Sequence, residues 1–121
     1  MATIQHTTEN IVGGTIRVTW ANLTTTNNVG TPVEAPDHTF KEVQVKGTFG
    51  VGGNVNIEGS LDDGTTWATL NDAQGNALAV AAAKIERVQE STATVRPSVS
   101  AGDGTTSLTV VMILKLENVL S

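Results

Sequence analysis

Residues 55–70 read VNIEGSLDDGTTWATL, and this stretch decides the fold class. Its odd-numbered positions from 55 to 61 are apolar or glycine, while the even-numbered ones are polar. This two-residue period is typical of a strand with one buried face. Residues 62–64, Asp-Asp-Gly, predict a turn, because Asp side chains bond nearby backbone groups and Gly accepts a positive φ. Residues 66–70 then resume as a returning strand, so the stretch predicts a β-hairpin.

The remainder of the chain continues this pattern of short strands separated by glycine-rich turns. Further strands are predicted at residues 15–23, 40–49, 92–100 and 107–116. Such spacing is typical of an antiparallel sandwich or jelly roll. We therefore predict an all-β fold, an antiparallel and jelly-roll-like β-sandwich of about seven strands. The sandwich domain is expected at residues 15–121, after an extended N-terminal arm at residues 1–14.

Three strand predictions carry finer expectations. Phe40 breaks the alternation of the residues that follow it, so we expect a β-bulge near residues 41–42. Pro97 has no N–H to donate to a ladder, which predicts an edge position for its strand. Residues 107–116 are apolar at both parities, so the last strand is predicted to be central and covered on both faces.

Three other segments do not alternate. Residues 24–39 are predicted to be a long polar loop, a candidate for function or partner contact. The alanine-rich segment 77–82 is compatible with a weak strand or with a helical turn. Residues 84–90 have a composition that favours helix, and a short helical turn is expected there.

Composition excludes several classes of protein. The 121 residues suit one domain, and 16% of them are charged, with a net charge of −5. Nucleic-acid binding draws on clustered Lys and Arg, whereas the seven basic residues here are scattered, so no nucleic-acid partner is expected. The chain has no cysteine, which excludes disulfides, thiolate metal sites and Cys nucleophiles.

The chain also lacks the features of a membrane or exported protein. Its start has neither a basic region nor an apolar run, so no signal peptide is predicted. The longest apolar stretch, residues 108–116, is far shorter than the roughly 20 residues of a membrane span. We expect synthesis in a cytoplasm and no membrane partner.

Four carboxylates next to turn residues are the candidate ion ligands: Asp62, Asp63, Asp72 and Asp103. Calcium prefers six to eight oxygen ligands, but the spacing of these residues does not match an EF-hand loop. Backbone bonding in Asp-Gly turns is the stronger interpretation, and an ion is the alternative.

No constellation favours catalysis. A glycosidase-like pair of acids is conceivable at Glu58 and Asp62, yet nothing else marks a cleft. His6 and His38 lack a third ligand for a transition metal. No Gly-x-Ser-x-Gly elbow is present, and the glycine-rich residues 47–53 precede no helix or Lys of a phosphate loop. The sequence predicts no enzyme and no cofactor.

The two tryptophans are assigned to the core. The chain is poor in aromatic residues, and a large apolar ring such as Trp20 or Trp67 is best buried. On this interpretation Trp67 fills the sandwich beside the hairpin turn, and truncating it would cost roughly 3–5 kcal/mol. The alternative for Trp67 is stacking on a sugar.

Three segments carry a resemblance to a known class of protein. They are residues 57–70, IEGSLDDGTTWATL; residues 72–78, DAQGNAL; and residues 95–110, VRPSVSAGDGTTSLTV. Together they resemble small virion proteins of tailed bacteriophages, and we suspect a capsid decoration (cement) protein. The resemblance covers roughly the second half of the chain. It implies a virion structural protein on the outer capsid surface, made in the host cytoplasm, that contacts the major capsid protein and forms a homotrimer.

The N-terminal arm is the predicted contact region. Ile4, Ile11 and Val12 have no obvious place in the core, and an arm can pair with a neighbour by strand addition. Two alternatives remain open. The Gly-Ser-x-Asp-Asp-Gly-x-x-Trp portion also resembles carbohydrate-binding β-sandwiches, and a head–tail or tail structural protein would share the fold.

Overall fold

A computed structural model describes residues 3–11, 13–35, 38–90 and 92–116. Over these ranges the chain forms strands in two sheets and no helix, so the all-β prediction is confirmed. No helix that could cross a membrane occurs in these ranges. The strands are β1 (Thr3–Ile4), β2 (Thr7–Ile11), β3 (Thr15–Leu23), β4 (Val29–Gly30), β5 (Val33–Glu34), β6 (Phe40–Thr48), β7 (Asn54–Ser60), β8 (Ala68–Thr69), β9 (Ala79–Val80), β10 (Lys84–Arg87), β11 (Thr94–Ala101) and β12 (Ser107–Lys115).

The described strands divide into a five-stranded and a seven-stranded sheet. The five-stranded sheet is antiparallel throughout, in the order β10-β6-β12-β3-β2. The seven-stranded sheet follows the order β1-β4-β11-β7-β8, with β5 also on β11 and β9 also on β7. Within it, β1 and β4 are parallel. From β6 onward, the strands of four or more residues alternate between the two sheets along the chain.

One hydrophobic core takes side chains from both sheets. Alternate residues of β6, β7, β11 and β12 are buried, as the period of a one-sided strand requires. Trp20 is fully buried in this core, as predicted. Valine and leucine make up most of it, with Met112 as its one thioether among the described residues.

The hairpin at residues 55–70 is present. Strand β7 pairs antiparallel with β8, Glu58 opposite Thr69 and Gly59 opposite Ala68. The returning strand is shorter than predicted, because residues 61–67 form a loop outside the sheet. Strand β3 has the predicted bounds, and β9 confirms the strand alternative for the alanine-rich segment.

The helical turn predicted at residues 84–90 is wrong. Lys84–Arg87 forms β10, which pairs with β6 at the edge of the five-stranded sheet. Helix propensity is a weak preference that tertiary pairing overrides. The bulge expected at residues 41–42 is wrong as well, since β6 pairs with β12 in unbroken register. Phe40 needs no bulge because it lies on the outer face, while Lys41 points inward.

The edge position predicted for Pro97 is wrong too. Strand β11 lies between β7 on one side and β4 with β5 on the other. Ile57, opposite Pro97, uses its N–H and C=O for Leu78 and Leu70, away from β11. The nitrogen of Pro97 therefore points away from β7, toward the side of β11 on which β4 and β5 lie. There the pairing is interrupted between Val95, opposite β5, and Ser98, opposite β4, so no donor is needed.

The last strand is central, as predicted, with β6 and β3 on its two sides. Its second expected feature, cover on both faces, is wrong over the described residues. Leu108, Val110, Met112 and Leu114 are buried, whereas the residues between them are half-buried. A central strand can thus be apolar on a face that its own domain leaves open to solvent.

Candidate functional site

The N-terminal segment is the candidate site, and its described residues belong to both sheets. Strand β1 lies parallel to β4, and the N–H of Thr31 donates to the carbonyl of Ile4 at 2.9 Å. Strand β2 pairs with β3 across five residue pairs. The segment predicted as an extended arm is therefore built into its own domain at residues 3–11.

The three predicted contact residues have different positions. Ile4 is half-buried and packs against the core, so its side chain already has apolar neighbours. Ile11 is 37% exposed at the end of β2. Val12 lies outside the described residues. Of the two described residues, Ile11 is the one whose position in the fold leaves it open to a partner.

A polar cluster attaches the segment to the core. The indole Nε1 of Trp20 donates to the carbonyl of Thr31 at 2.9 Å. His6 Nδ1 and Thr31 Oγ1 form a hydrogen bond of 2.7 Å, and the backbone N–H of His6 donates to the same hydroxyl at 3.1 Å. The rings of His6 and Trp20 meet edge to face, 5.8 Å between centroids. This arrangement satisfies the buried indole N–H and holds the chain between β1 and β2 over the ring.

Strand β2 ends the five-stranded sheet, and all five of its side chains are exposed. Glu9 and Arg17 form an ion pair across to β3, 3.0 Å between Oε1 and Nε. Both partners are solvated, so this pair contributes little to stability. An edge strand of this kind presents a row of N–H and C=O groups for a further strand.

The candidate ion ligands are used within their own turns. Asp62 Oδ1 accepts bonds from Ser60 Oγ and from the Thr66 N–H, both at 2.8 Å. Asp72 Oδ1 accepts the N–H groups of Gln74 and Asn76, both at 2.9 Å. Asp63 has a φ of 58°, as a turn residue. In the described ranges, no three His, Cys, Asp or Glu side chains are grouped as metal ligands. The contacts support the turn interpretation.

Asp103 joins two turns at the opposite end of the sheets from the 61–67 loop. Its carboxylate accepts the Thr105 hydroxyl at 2.7 Å and the Thr105 N–H at 2.9 Å. It also accepts the N–H of Val51, 52 residues away, at 2.9 Å. These bonds, the Thr105 hydroxyl first and then the Val51 N–H, lower the pKa of Asp103 from 3.8 to about 2.

We expect acid to release this contact. The folded pKa lies below the ordinary value, so the stabilisation is complete above about pH 4 and is lost as the pH falls toward 2. Asp103→Asn should lower stability at neutral pH and flatten the dependence of the free energy of unfolding between pH 4 and pH 2. Urea unfolding at several pH values tests this. An unchanged acid dependence in the variant would contradict the assignment to Asp103.

Trp67 corrects a prediction, because it is half-buried and lies outside the core. The chain leaves the sheet at Ser60, so the ring lies beside the outer face of the seven-stranded sheet. The guanidinium of Arg96 lies 4.0 Å from its centroid, and the indole N–H donates to the Gly64 carbonyl at 2.9 Å.

Arg96 also engages one of the two acids considered for catalysis. Its Nε donates to Glu58 Oε1 at 2.9 Å, directly across β7 and β11. Glu58 is thus held by Arg96, and Asp62 by backbone and hydroxyl donors of its turn. The contacts give each acid a structural partner and do not favour a catalytic pair.

Lys41 is a buried residue that the sequence analysis missed. It is 1% exposed, and its Nζ donates to the carbonyl of His38 at 2.6 Å. Desolvation lowers the pKa of the Lys41 amine. The alternation of residues 41, 43 and 45 indicates that Lys41 points inward. The bulge expected at residues 41–42 conceals this signal. Its burial and its hydrogen bond to the His38 carbonyl give the amine a structural contact.

Comparison with protein-family models, curated proteins and solved structures finds no match to this chain.

Proposed function

We propose that this chain is a non-enzymatic virion structural protein that binds the outer surface of a capsid and stabilises the shell. Its partners are the major capsid protein and further copies of itself, as a homotrimer. The observation that carries the proposal is the edge position of β2, which among the described strands pairs with β3 alone. The resemblance of residues 57–70, 72–78 and 95–110 to virion proteins of tailed bacteriophages supports the choice of partner.

Strand β2 has the properties that strand addition requires. Its five side chains are exposed and include no large aromatic residue, so an incoming strand meets little steric hindrance. Each backbone hydrogen bond gained contributes about 0.5–1.5 kcal/mol net. A shell segment that pairs along β2 would be bound mainly through the backbone, with alternate side chains providing specificity.

The rest of the domain suits a mechanical role. The turn carboxylates Asp62, Asp72 and Asp103 brace the loops through bonds within the chain. From β6 onward, the strands of four or more residues alternate between the two sheets, which supports the jelly-roll-like sandwich that we propose as the finer description of the fold. Such a domain transmits load between neighbouring shell subunits without a cofactor.

Two matched proline variants test the edge. Adjacent residues in a strand direct their N–H groups to opposite sides, so one of Thr7→Pro and Thr8→Pro removes an N–H on the open edge, while the other breaks a bond to β3. We expect the variant that loses the N–H on the open edge to keep its thermal stability and to lose co-sedimentation with emptied heads of tailed bacteriophages. The other should lose stability.

The wild-type protein is the reference in this assay, and its mass in solution is measured in parallel. An oligomer with the mass of one trimer or of two associated trimers, which sediments with emptied heads, is the expected result. If the stable proline variant bound heads as the wild type does, β2 would not be the contact. A monomeric protein that does not sediment with any heads would contradict the capsid proposal. Binding to phage tails alone would favour a tail or head–tail role.

Carbohydrate binding is the second candidate, favoured by the position of Trp67 outside the core. Its ring lies against Arg96, which is paired with Glu58, and these two polar side chains are of the kind that contact sugar hydroxyls. Arg96 occupies a face of the ring, however, and would have to move for a sugar to stack there. Stabilisation by a sugar that is lost in Trp67→Ala would favour this function over capsid binding.

A further inference from the structure

The outer face of the five-stranded sheet carries an apolar strip. Val111 and Ile113 lie half-buried at its centre on β12, and Phe40 is half-buried on β6. Ile85 on β10 is 57% exposed. An apolar residue exposed alone is ordinary, but neighbouring ones on a flat sheet are typical of a contact surface.

These side chains border a shallow depression. It has a volume of about 120 Å³ and is lined by Glu42, Val43, Gln44, Ile85, Val111 and Ile113. Strand β12 thus has the apolar pattern of a strand covered on both faces, while the described part of its own chain covers one. The pattern indicates that a second layer packs here.

The charges on this face form a pattern that a partner surface would have to match. The register places five outward residues in one row across the sheet, in the order Arg87, Glu42, Ile113, Arg17 and Glu9. Their charges run positive, negative, neutral, positive, negative. Reversing the order of this row exchanges every positive position with a negative one, so the row is complementary to its own reverse.

We propose that the outer face of the five-stranded sheet docks on the same face of a second copy of this chain. A two-fold axis along β12, between the two faces, reverses the row in the second copy. Arg87 then lies opposite Glu9 of the other copy, and Glu42 lies opposite Arg17. Ile113 of one copy lies opposite Ile113 of the other copy, so the apolar centres of the two faces meet.

The uncharged neighbouring row is compatible with this packing. The next row is uncharged and places Ile85, Gln44, Val111, Thr19 and Thr7 side by side. In the row beyond Ile113, Lys115 lies near the axis, but its Nζ is 5.1 Å from the centroid of the Phe40 ring. The strands of two packed sheets cross at about 30°. Residues near the strand ends of one copy therefore lie farther from their counterparts in the other copy than residues at the centre do.

The area is sufficient for a specific contact. Five strands about 4.8 Å apart, each rising about 3.3 Å per residue, give a face of roughly 500–700 Å² per copy when the short edge strands are allowed for. The two faces together would bury roughly 1,000–1,400 Å², which reaches the roughly 1,000 Å² that a specific interface needs and lies at the low end of the standard size range. Contacts of this isologous type are the commonest in homo-oligomers.

Self-association through this face does not depend on capsid binding. It uses outward side chains, whereas strand addition uses the backbone edge of β2. A protein with the two-fold contact alone is a dimer, and one that also forms the proposed trimer is a hexamer of dihedral symmetry. Loss of the two-fold contact therefore halves the mass in either case.

Two variants at the axis provide the test. Ile113→Glu and Ile113→Lys each place like charges opposite each other, and we expect self-association to weaken by about 100-fold, which corresponds to about 2.7 kcal/mol. Within its own chain the new Glu lies beside Arg17 and the new Lys beside Glu42, so both variants should fold. Circular dichroism checks this. Leu61→Glu is the control, because Leu61 is 82% exposed in the loop at residues 61–67, outside this face.

Sedimentation equilibrium gives the masses. We expect half the wild-type mass for each variant alone, the wild-type mass for Leu61→Glu, and recovery of the wild-type mass when the two Ile113 variants are mixed in equal amounts. The measurement is made at a protein concentration of about 100 μM, roughly 100-fold above a micromolar dissociation constant. A wild-type protein that is monomeric or trimeric at this concentration would overturn the proposal. Variants that keep their mass, or a mixture that does not recover it, would also overturn it. Loss of head binding at unchanged mass would assign this face to the shell instead.

Discussion

Trp20→Ala is expected to lower the free energy of unfolding by about 3–5 kcal/mol, because a fully buried ring leaves a cavity in the core. The loss includes the hydrogen bond from Nε1 to the Thr31 carbonyl. It also removes the surface on which His6 rests. The N-terminal segment should therefore loosen together with the core.

The same substitution at Trp67 is expected to cost much less, about 1–2 kcal/mol, since it removes a cation–π contact with Arg96 and a hydrogen bond at a partly solvated site. Urea unfolding of the two variants, followed by circular dichroism, measures both costs in one experiment. The comparison is internally matched, because each variant replaces one tryptophan by one alanine. Equal losses would mean that Trp67 belongs to the core after all.

Gly30→Ala is expected to destabilise the protein by roughly 1–3 kcal/mol through overpacking. A Cβ at this position would overlap the indole of Trp20 and lie 2.7 Å from Cγ of Pro97. Both neighbours are parts of rigid rings in packed strands, so relief requires movement of β4. Because β1 pairs with β4 at Gly30, the N-terminal segment should be displaced as well.

Amide hydrogen exchange distinguishes this effect from a general loss of stability. The Thr31 N–H, which donates to Ile4, should exchange faster in Gly30→Ala than global unfolding explains. Gly104→Ala is the matched control, because a Cβ there meets nothing within 4 Å. Equal stability of the two variants would contradict the close approach at Gly30.

Where the strands are long, their alternation was sufficient to predict them. The bounds of β3 and the central place of β12 follow from side-chain period and from apolar residues at both parities. The turn role of Asp62 and Asp103 follows from local chemistry in the same way. In each case the information lies within a few neighbouring residues, since a strand's two faces and a turn's hydrogen bonds are local properties.

The candidate site was less predictable. Alternation gives no signal in two-residue strands such as β1, which exists because β4 is beside it. Residues 84–87 have the composition of a helix and become a strand because β6 offers an edge. Trp67 has the apolar area of a core residue, yet its loop leaves the sheet and Arg96 receives the ring.

The side chains' period thus determined that this chain is all-β and which faces of its long strands are buried. The tertiary structure decided how the sheets are ordered, and so which residues from distant strands share one row. Arg87, Glu42, Arg17 and Glu9 are separated by up to 78 positions along the chain and are adjacent in space through strand pairing. Pairing partners are chosen by long-range packing, which no local pattern of residues encodes.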